Sequence, residues 1–216
     1  MTFSLVGMCR RTGMFGAAVT TSSMGVGSRC PFARTGVGAV LTQHRTDPLL
    51  GPRGIELLAQ GQSAAQVIEA LTADNPTISW RQLAVIDARG DTAYYHGDKI
   101  RSIHAAAQGD AVCAIGNIIR QENIPQAMLE AFAEGPGEHL AERLLRGLEA
   151  GGELQQVKSA ALLVVHEQPF PLVDLRVELD PQPLPTLRFL WELYRPQTDL
   201  YVRRAVDPDS IPYPET

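Results

Sequence analysis

Positive charge is in short supply along this chain: 19 lysines and arginines stand against 24 aspartates and glutamates, a formal net charge of −5. Without a basic excess there is no field to gather a phosphate backbone, so no nucleic-acid partner is expected. Long apolar runs are missing too. None approaches the roughly 20 residues needed to span a bilayer. The opening Met1–Gly7 lacks a basic segment, a long apolar stretch and a small-residue cleavage site, so neither a membrane partner nor a signal peptide is expected. Cysteine is scarce: Cys9, Cys30 and Cys113 are too few and too scattered for a disulfide framework. These absences predict a cytoplasmic protein. Metal spacing is absent as well. His166-Glu167 has no second histidine to make the zinc-protease helix motif, and there is no paired Cys-x-x-Cys. Gly25-x-Gly27 and Gly36-x-Gly38 lack the remaining glycine and the following helix of a dinucleotide loop. No metal and no cofactor are expected.

What the chain does have is an ordinary globular composition, 44% hydrophobic and 20% charged over 216 residues, enough for one sizeable core. Residues 2–8 alternate polar and apolar side chains before turning apolar, which predicts a strand. Arg10–Gly13 reads as a turn, Phe15–Thr21 as a returning strand and Val37–Thr42 as a third. The period then changes. Asp47-Pro48 can open a helix carrying Ile55, Leu57 and Leu58, and Ser63-Ala-Ala-Gln66 is a capping-box pattern for a second. Leu83–Asp87 and Thr92–His96 form a predicted hairpin, and Val112–Ile115 another short strand. Helices are predicted at about 122–133 and 138–149, the latter stopped by Gly151-Gly152. Ser159–His166 and Asp174–Leu179 close the pattern. Hairpins interleaved with paired helices imply an α+β fold of antiparallel sheets covered by helical layers. We divide the chain into a body, residues 1–180, and a C-terminal piece, residues 181–216. That piece reads as a helix and a proline-rich, extended tail packing on the body or on a partner subunit. Its aromatics Trp191, Tyr194, Tyr201 and Tyr213 predict a homo-oligomer.

Several blocks then occur in a telling order: Thr2-Phe-Ser-Leu-Val, Gly16-Ala-Ala-Val-Thr-Thr-Ser22, Gly36-Val-Gly-Ala-Val-Leu-Thr-Gln43, Gly51-Pro-Arg-Gly54, Arg81-Gln82, Gly116-Asn117 and Ser159-Ala-Ala-Leu-Leu-Val-Val165. Over residues 2–180 the chain resembles the bacterial and archaeal domain-of-unknown-function family 1028. That family looks like a branch of the N-terminal-nucleophile (Ntn) hydrolases. The resemblance implies a four-layer α-β-β-α sandwich and, as ancestral chemistry, amide-bond hydrolysis on a small-molecule substrate.

In an Ntn enzyme the first residue supplies both a nucleophilic hydroxyl and, through its own α-amine, the general base. The amine suits that task because its ordinary pKa is about 7.7–8.0, and a threonine hydroxyl needs such a base nearby. Thr2 follows a methionine of the kind cells trim before small residues. Once Met1 is removed, Thr2 becomes the candidate nucleophile; the plain alternative is a β-branched residue opening a strand. Ser4, two residues on and so on the same face, can orient it or contact substrate. Ser22, in the hydroxyl-rich strand end Thr20–Ser23, can line a cleft or simply bond the strand end. Gln43 and His44 follow a buried-looking strand and are candidates to grip substrate, against the commoner surface role. Arg81 suits a substrate carboxylate through its fork of donors, or a structural ion pair. Asn117 can present its amide to a developing oxyanion, or cap the next turn. Two rivals stand beside amide hydrolysis. One is a non-catalytic ligand-binding or assembly protein on the same fold; the other is an enzyme using Ser22, His44 or Cys30.

Overall fold

The first hairpin sets the frame. β1 (Thr2–Met8) pairs along its whole length with β2 (Phe15–Thr21). The turn between them closes at Gly13, whose φ of +73° suits glycine and whose N–H donates to the Cys9 carbonyl at 2.8 Å. The computed structural model describes residues 1–152 and 156–212. In chain order it continues with β3 (Pro31–Arg34), β4 (Gly38–Gln43), α1 (Leu50–Ala59), α2 (Ala64–Thr72), β5 (Gln82–Asp87) and β6 (Thr92–His96). Then come β7 (His104–Gly109), β8 (Val112–Asn117), α3 (Ile124–Ala133), α4 (Leu140–Gly152), β9 (Ser159–Val165), β10 (Pro171–Val177), α5 (Pro183–Tyr194) and α6 (Thr198–Val206). Two sheets result, one in the order β10-β9-β2-β1-β8-β7 and one in the order β3-β4-β5-β6, with antiparallel pairing throughout.

Strand alternation sorts the side chains into three apolar cores. Phe3 and Leu5 point to one face of the larger sheet and join Met128, Phe132, Leu144 and Leu148 of α3 and α4. Val6, Val19 and Ile115 point to its other face and meet Leu41 and Ile86 of the smaller sheet. The far side of the smaller sheet, with Val40, Leu83 and Val85, is covered by Ile55, Leu58, Val67 and Leu71 of α1 and α2. The sheets therefore pack on each other and each carries a helix pair outside. Each fully buried leucine in such a core contributes about 1.5–3 kcal/mol.

Local expectations are met at α2, where Ser63 accepts from the Gln66 N–H and the Gln66 side chain accepts from the Ser63 N–H. Others change. The helix expected from Asp47-Pro48 begins at Leu50, because the Asp47 carboxylate accepts from the Leu49 N–H at 3.1 Å and holds a turn there instead. Gly151-Gly152 does not stop α4, which includes both. The reason is close packing: a Cβ on Gly151 would sit 2.9 Å from Phe3 and 3.0 Å from Met128. β3 and β7, absent from the sequence reading, fill opposite edges of the two sheets.

The C-terminal piece is helical as far as Val206, not extended after its first helix; Tyr213 lies outside the described residues. α5 docks on the body through Leu184, Leu187 and Trp191, in the core shared with α4. Glu142 fastens it, one carboxylate oxygen accepting from Arg188 Nη1 at 2.6 Å and the other from the Trp191 indole at 2.8 Å. Glu142→Ala strands that indole N–H in the core, and we predict a loss of about 2 kcal/mol in urea unfolding. Among the described residues no helix is long and apolar enough to cross a membrane.

Candidate active site

The same alternation that buries Val6 between the sheets sends Thr2 and Ser4 into that space at one end of the molecule. Thr2 lies opposite Thr21 on β2 and opposite Asn117 on β8. From the smaller sheet, Gln43 and Gln82 are themselves register partners. A polar cap thus closes the apolar layer of Leu41, Ala84 and Ile115. Its bonds run continuously. The Ser4 hydroxyl donates to Gln43 Oε1 at 2.8 Å, and Gln43 Nε2 donates to Gln82 Oε1 at 2.5 Å. Asn117 Nδ2 donates to the same Gln82 oxygen at 2.9 Å, and Gln82 Nε2 donates to the Gly116 carbonyl at 2.9 Å. Ser4, Gln43 and Gln82 have no exposed surface, so these bonds satisfy groups that would be costly left bare.

Outside this cap opens a cleft of about 480 Å³. Thr2, Thr21 and Asn117 form one wall and His44, Arg45 and Thr46 another, with Met1, Ser22, Arg29 and Cys30 also lining it. The Thr2 and Thr21 hydroxyls lie 2.8 Å apart, and Thr21 is also 2.7 Å from the Met1 carbonyl. A carbonyl only accepts, so Thr21 spends its proton there and Thr2 must donate to Thr21. The Met1 carbonyl also accepts from the Ser22 N–H at 3.1 Å and the Ser22 hydroxyl at 3.4 Å. Burial lowers the pKa of the Met1 amine, which donates to Ser22 Oγ at 3.2 Å.

His44 and Arg45 adopt left-handed backbone, with φ of 56° and 44°. Along a regular strand two successive side chains would face opposite ways; here the strand has ended and both line the cleft. The His44 Nδ1 lies 2.6 Å from the Trp80 carbonyl. A carbonyl only accepts, so that nitrogen must carry a proton, and the bond fixes the orientation of the ring. Burial pushes the Cys30 thiol up to about 11, which disfavours the thiolate that a cysteine nucleophile needs.

Of the residues singled out in the sequence, Thr2, Ser22, His44 and Asn117 line one cleft. Ser4 and Gln43 do not reach it; they bond to each other behind its floor and support Asn117 through Gln82. Arg81 also stands away from it. It is one residue before the inward-facing Gln82, so it faces the other way, with Nη2 3.2 Å from the Thr77 hydroxyl and Nε buried without a partner among the described residues. Gln82 and Arg45 went unrecognised. For Gln82 a signal existed: a glutamine at the head of the otherwise apolar face Ala84–Ile86.

Beside the polar cap sit His96, opposite Gln82, and His104, opposite Asn117. Their rings meet edge to face at 5.0 Å, and His96 Nε2 is buried without a partner among the described residues. Burial first, and the neighbouring His104 second, push the His96 pKa down to about 4. The unfolded chain then binds the proton that the folded chain refuses, so stability falls as pH drops from about 6.5 to about 4. His96→Phe is expected to flatten this slope by on the order of 1 kcal/mol, the ring being partly solvent-screened. Urea unfolding at pH 4.5 and 7 measures it, and equal slopes in both proteins would refute the assignment. Among the described residues, no three His, Cys, Asp or Glu are grouped to hold a metal ion.

The family model described as "Family of unknown function (DUF1028)" matches residues 2–187. The crystal structure of protein SPO2555 from Silicibacter pomeroyi, of the same family, is similar at a TM-score of 0.84 and 28% identity, covering 89% of this chain and 88% of that one. Looser similarities are to BPH of Thiobacillus denitrificans in complex with epoxomicin (TM-score 0.42, 12% identity, 78% of this chain, 100% of that one) and to Anbu, an ancestral beta-subunit, from Yersinia bercovieri (0.38, 10%, 99% and 100%). These two likenesses are too loose to assign a fold by themselves. No curated protein matches.

Proposed function

This chain belongs to the DUF1028 family, and on that premise we propose that it is an Ntn-type amidohydrolase, a four-layer α-β-β-α sandwich that cleaves a C–N bond in a small amide, peptide or cyclic amide. Thr2 is the nucleophile once Met1 has been removed. The observation that carries this reading is that Thr2, Thr21 and Asn117 line one cleft at the end of three paired central strands, with the Thr2 and Thr21 hydroxyls in contact.

The chemistry balances on the chain's own groups. The α-amine of Thr2 takes the proton of its hydroxyl as Oγ1 bonds to the carbonyl carbon. Charge develops on the carbonyl oxygen. Asn117 Nδ2 has two protons and gives one to Gln82, so one is left for that oxygen. Removal of Met1 also releases the Thr21 hydroxyl and the Ser22 N–H from the Met1 carbonyl, which adds two donors. Collapse of the intermediate breaks the C–N bond and the ammonium returns its proton to the leaving nitrogen. Water, activated by the same amine, then hydrolyses the ester and restores Thr2.

One observation favours a second reading. The Met1 carbonyl already has Thr21 and Ser22 as donors and its amine has Ser22 as partner, so the cleft holds the methionine comfortably. A chain that keeps Met1 is a ligand-binding module on this fold, since an amide nitrogen has no basic lone pair. Mass spectrometry of the protein from its own host separates the two. A hydrolysis screen over small linear and cyclic amides, with and without Met1, then tests activity. Turnover only in the Met1-free form supports the first reading, and equal turnover in both forms defeats it.

A further inference from the structure

The cleft beside Thr2 is positive within a protein that is negative. The chain carries a net charge of −5, yet among the described residues those lining the cleft include Arg29 and Arg45 and not one aspartate or glutamate. Arg29 is largely committed to structure. Its guanidinium donates to the carbonyls of Met24 and Gly25 and to the Ser23 hydroxyl at 2.6 Å.

Arg45 is different. It is solvent-exposed and, among the described residues, it makes no side-chain hydrogen bond and no ion pair. Its guanidinium carbon lies 4.3 Å from the centroid of the Trp80 ring, and the ammonium of Lys99 lies 5.2 Å from the same centroid. Packing against an aromatic ring restrains the long arginine side chain while leaving its N–H donors available to a ligand. The backbone contributes as well. A φ of 44° is uncommon for a residue with a Cβ, and it turns Arg45 into the same cleft as His44. A volume of about 480 Å³ admits a small molecule and not a folded chain.

We propose that the substrate is a small amide bearing a carboxylate, and that Arg45, stacked on Trp80, is the specificity-determining residue that grips that carboxylate while Thr2 attacks the amide. This deepens, and rests on, the assignment of Thr2 as nucleophile. It also moves the anchoring role from Arg81, which the sequence suggested, to an arginine that reaches the cleft.

The test pairs two substrates and two readouts in Met1-free protein. Succinamate carries a carboxylate beside its amide, and succinamide replaces that carboxylate with a second, neutral amide. The protein is expected to prefer succinamate by about 10- to 100-fold in kcat/KM, the value of a charge-assisted fork. In Arg45→Met that ratio falls to within about threefold, mainly through KM. Arg45→Lys, which keeps the charge without the fork, falls between. Equal use of both substrates by the parent protein, or an unchanged ratio in Arg45→Met, overturns the proposal.

Calorimetry on Met1-free Thr2→Ala supplies the readout that needs no turnover. Succinate is expected to bind more tightly than succinamide and to lose about 10-fold or more in Arg45→Met. Inorganic phosphate binding more tightly than succinate would overturn the carboxylate and assign a phosphorylated ligand. Retained hydrolysis in Thr2→Ala, with the charge preference intact, would refute the nucleophile and leave the anion site standing. Loss of turnover without any charge preference would do the reverse.

Discussion

Thr2→Ala in the Met1-free protein is expected to lower kcat by about 10⁴-fold or more, because no other hydroxyl in the cleft carries its own general base. The fold should barely register the change. Thr2 gives up one hydrogen bond, to Thr21, which at about 1 kcal/mol corresponds to about 2–4 °C in Tm for a chain of this length. The contrast between a large kinetic and a small thermal effect is the signature of a nucleophile. A mere strand residue would show the opposite balance. The pH profile gives a second check. The amine of Met1 is already lowered by burial, and Thr2 lies deeper, with 9% of its surface exposed. Its liberated amine should therefore titrate below the ordinary 7.7–8.0. Activity rises tenfold per pH unit below that point, where the ammonium has no lone pair, and levels off above it. Activity that ignores pH between 5 and 8 would remove the amine from the mechanism.

Gln82→Ala is the second change with a large expected effect, this time on stability. Gln82 Oε1 accepts from both Gln43 and Asn117, and its own amide satisfies the Gly116 carbonyl. Truncation strands three polar groups in a space with almost no exposure and leaves a cavity besides. At about 1–3 kcal/mol for each stranded group, partly offset by relaxation, a loss of about 3–5 kcal/mol follows. Tm would drop by about 10 °C or more. A Gln43→Ala/Gln82→Ala cycle should give a coupling of about 1–2 kcal/mol, because the two residues share one network. Additive losses would mean that the network is not connected as described. Because Asn117 would lose the acceptor that orients it, hydrolysis should weaken as well, through kcat and not through KM.

Much of the architecture could be read locally. The period of two in Thr2–Met8, the capping box at Ser63 and the apolar stripes of α2 and α4 depend only on neighbours a few residues apart. They place Thr2 and Ser4 on one face without knowledge of any other strand. The polar candidates at strand ends also gathered well: Thr2, Ser22, His44 and Asn117 come from four separate stretches and line one cleft. Strand ends on the same side of a sheet are brought together by antiparallel pairing, so residues flanking short apolar runs are good candidates for a shared rim.

The failures have a common cause. Arg81 drew notice through its charge, yet Gln82 beside it enters the site, and a shift of one residue along a strand reverses the face. The local pattern puts Gln82 on the face of Ala84 and Ile86, but both faces of β5 are apolar and buried. Which of them meets the larger sheet is settled only by the packing of the two sheets. Gly151 reads as a helix stop by propensity, but its lack of a side chain serves the close approach of α4 to Phe3. Arg45 reaches the cleft only because the chain turns left-handed where β4 ends. Short-range periodicity and capping thus decide which elements form and which way each side chain leans. The pairing of Thr2 with Asn117, the pairing of Gln43 with Gln82 and the cleft in front of them depend on register and on the packing of two sheets. Those are long-range equilibria among many contacts, which no window of neighbouring residues contains.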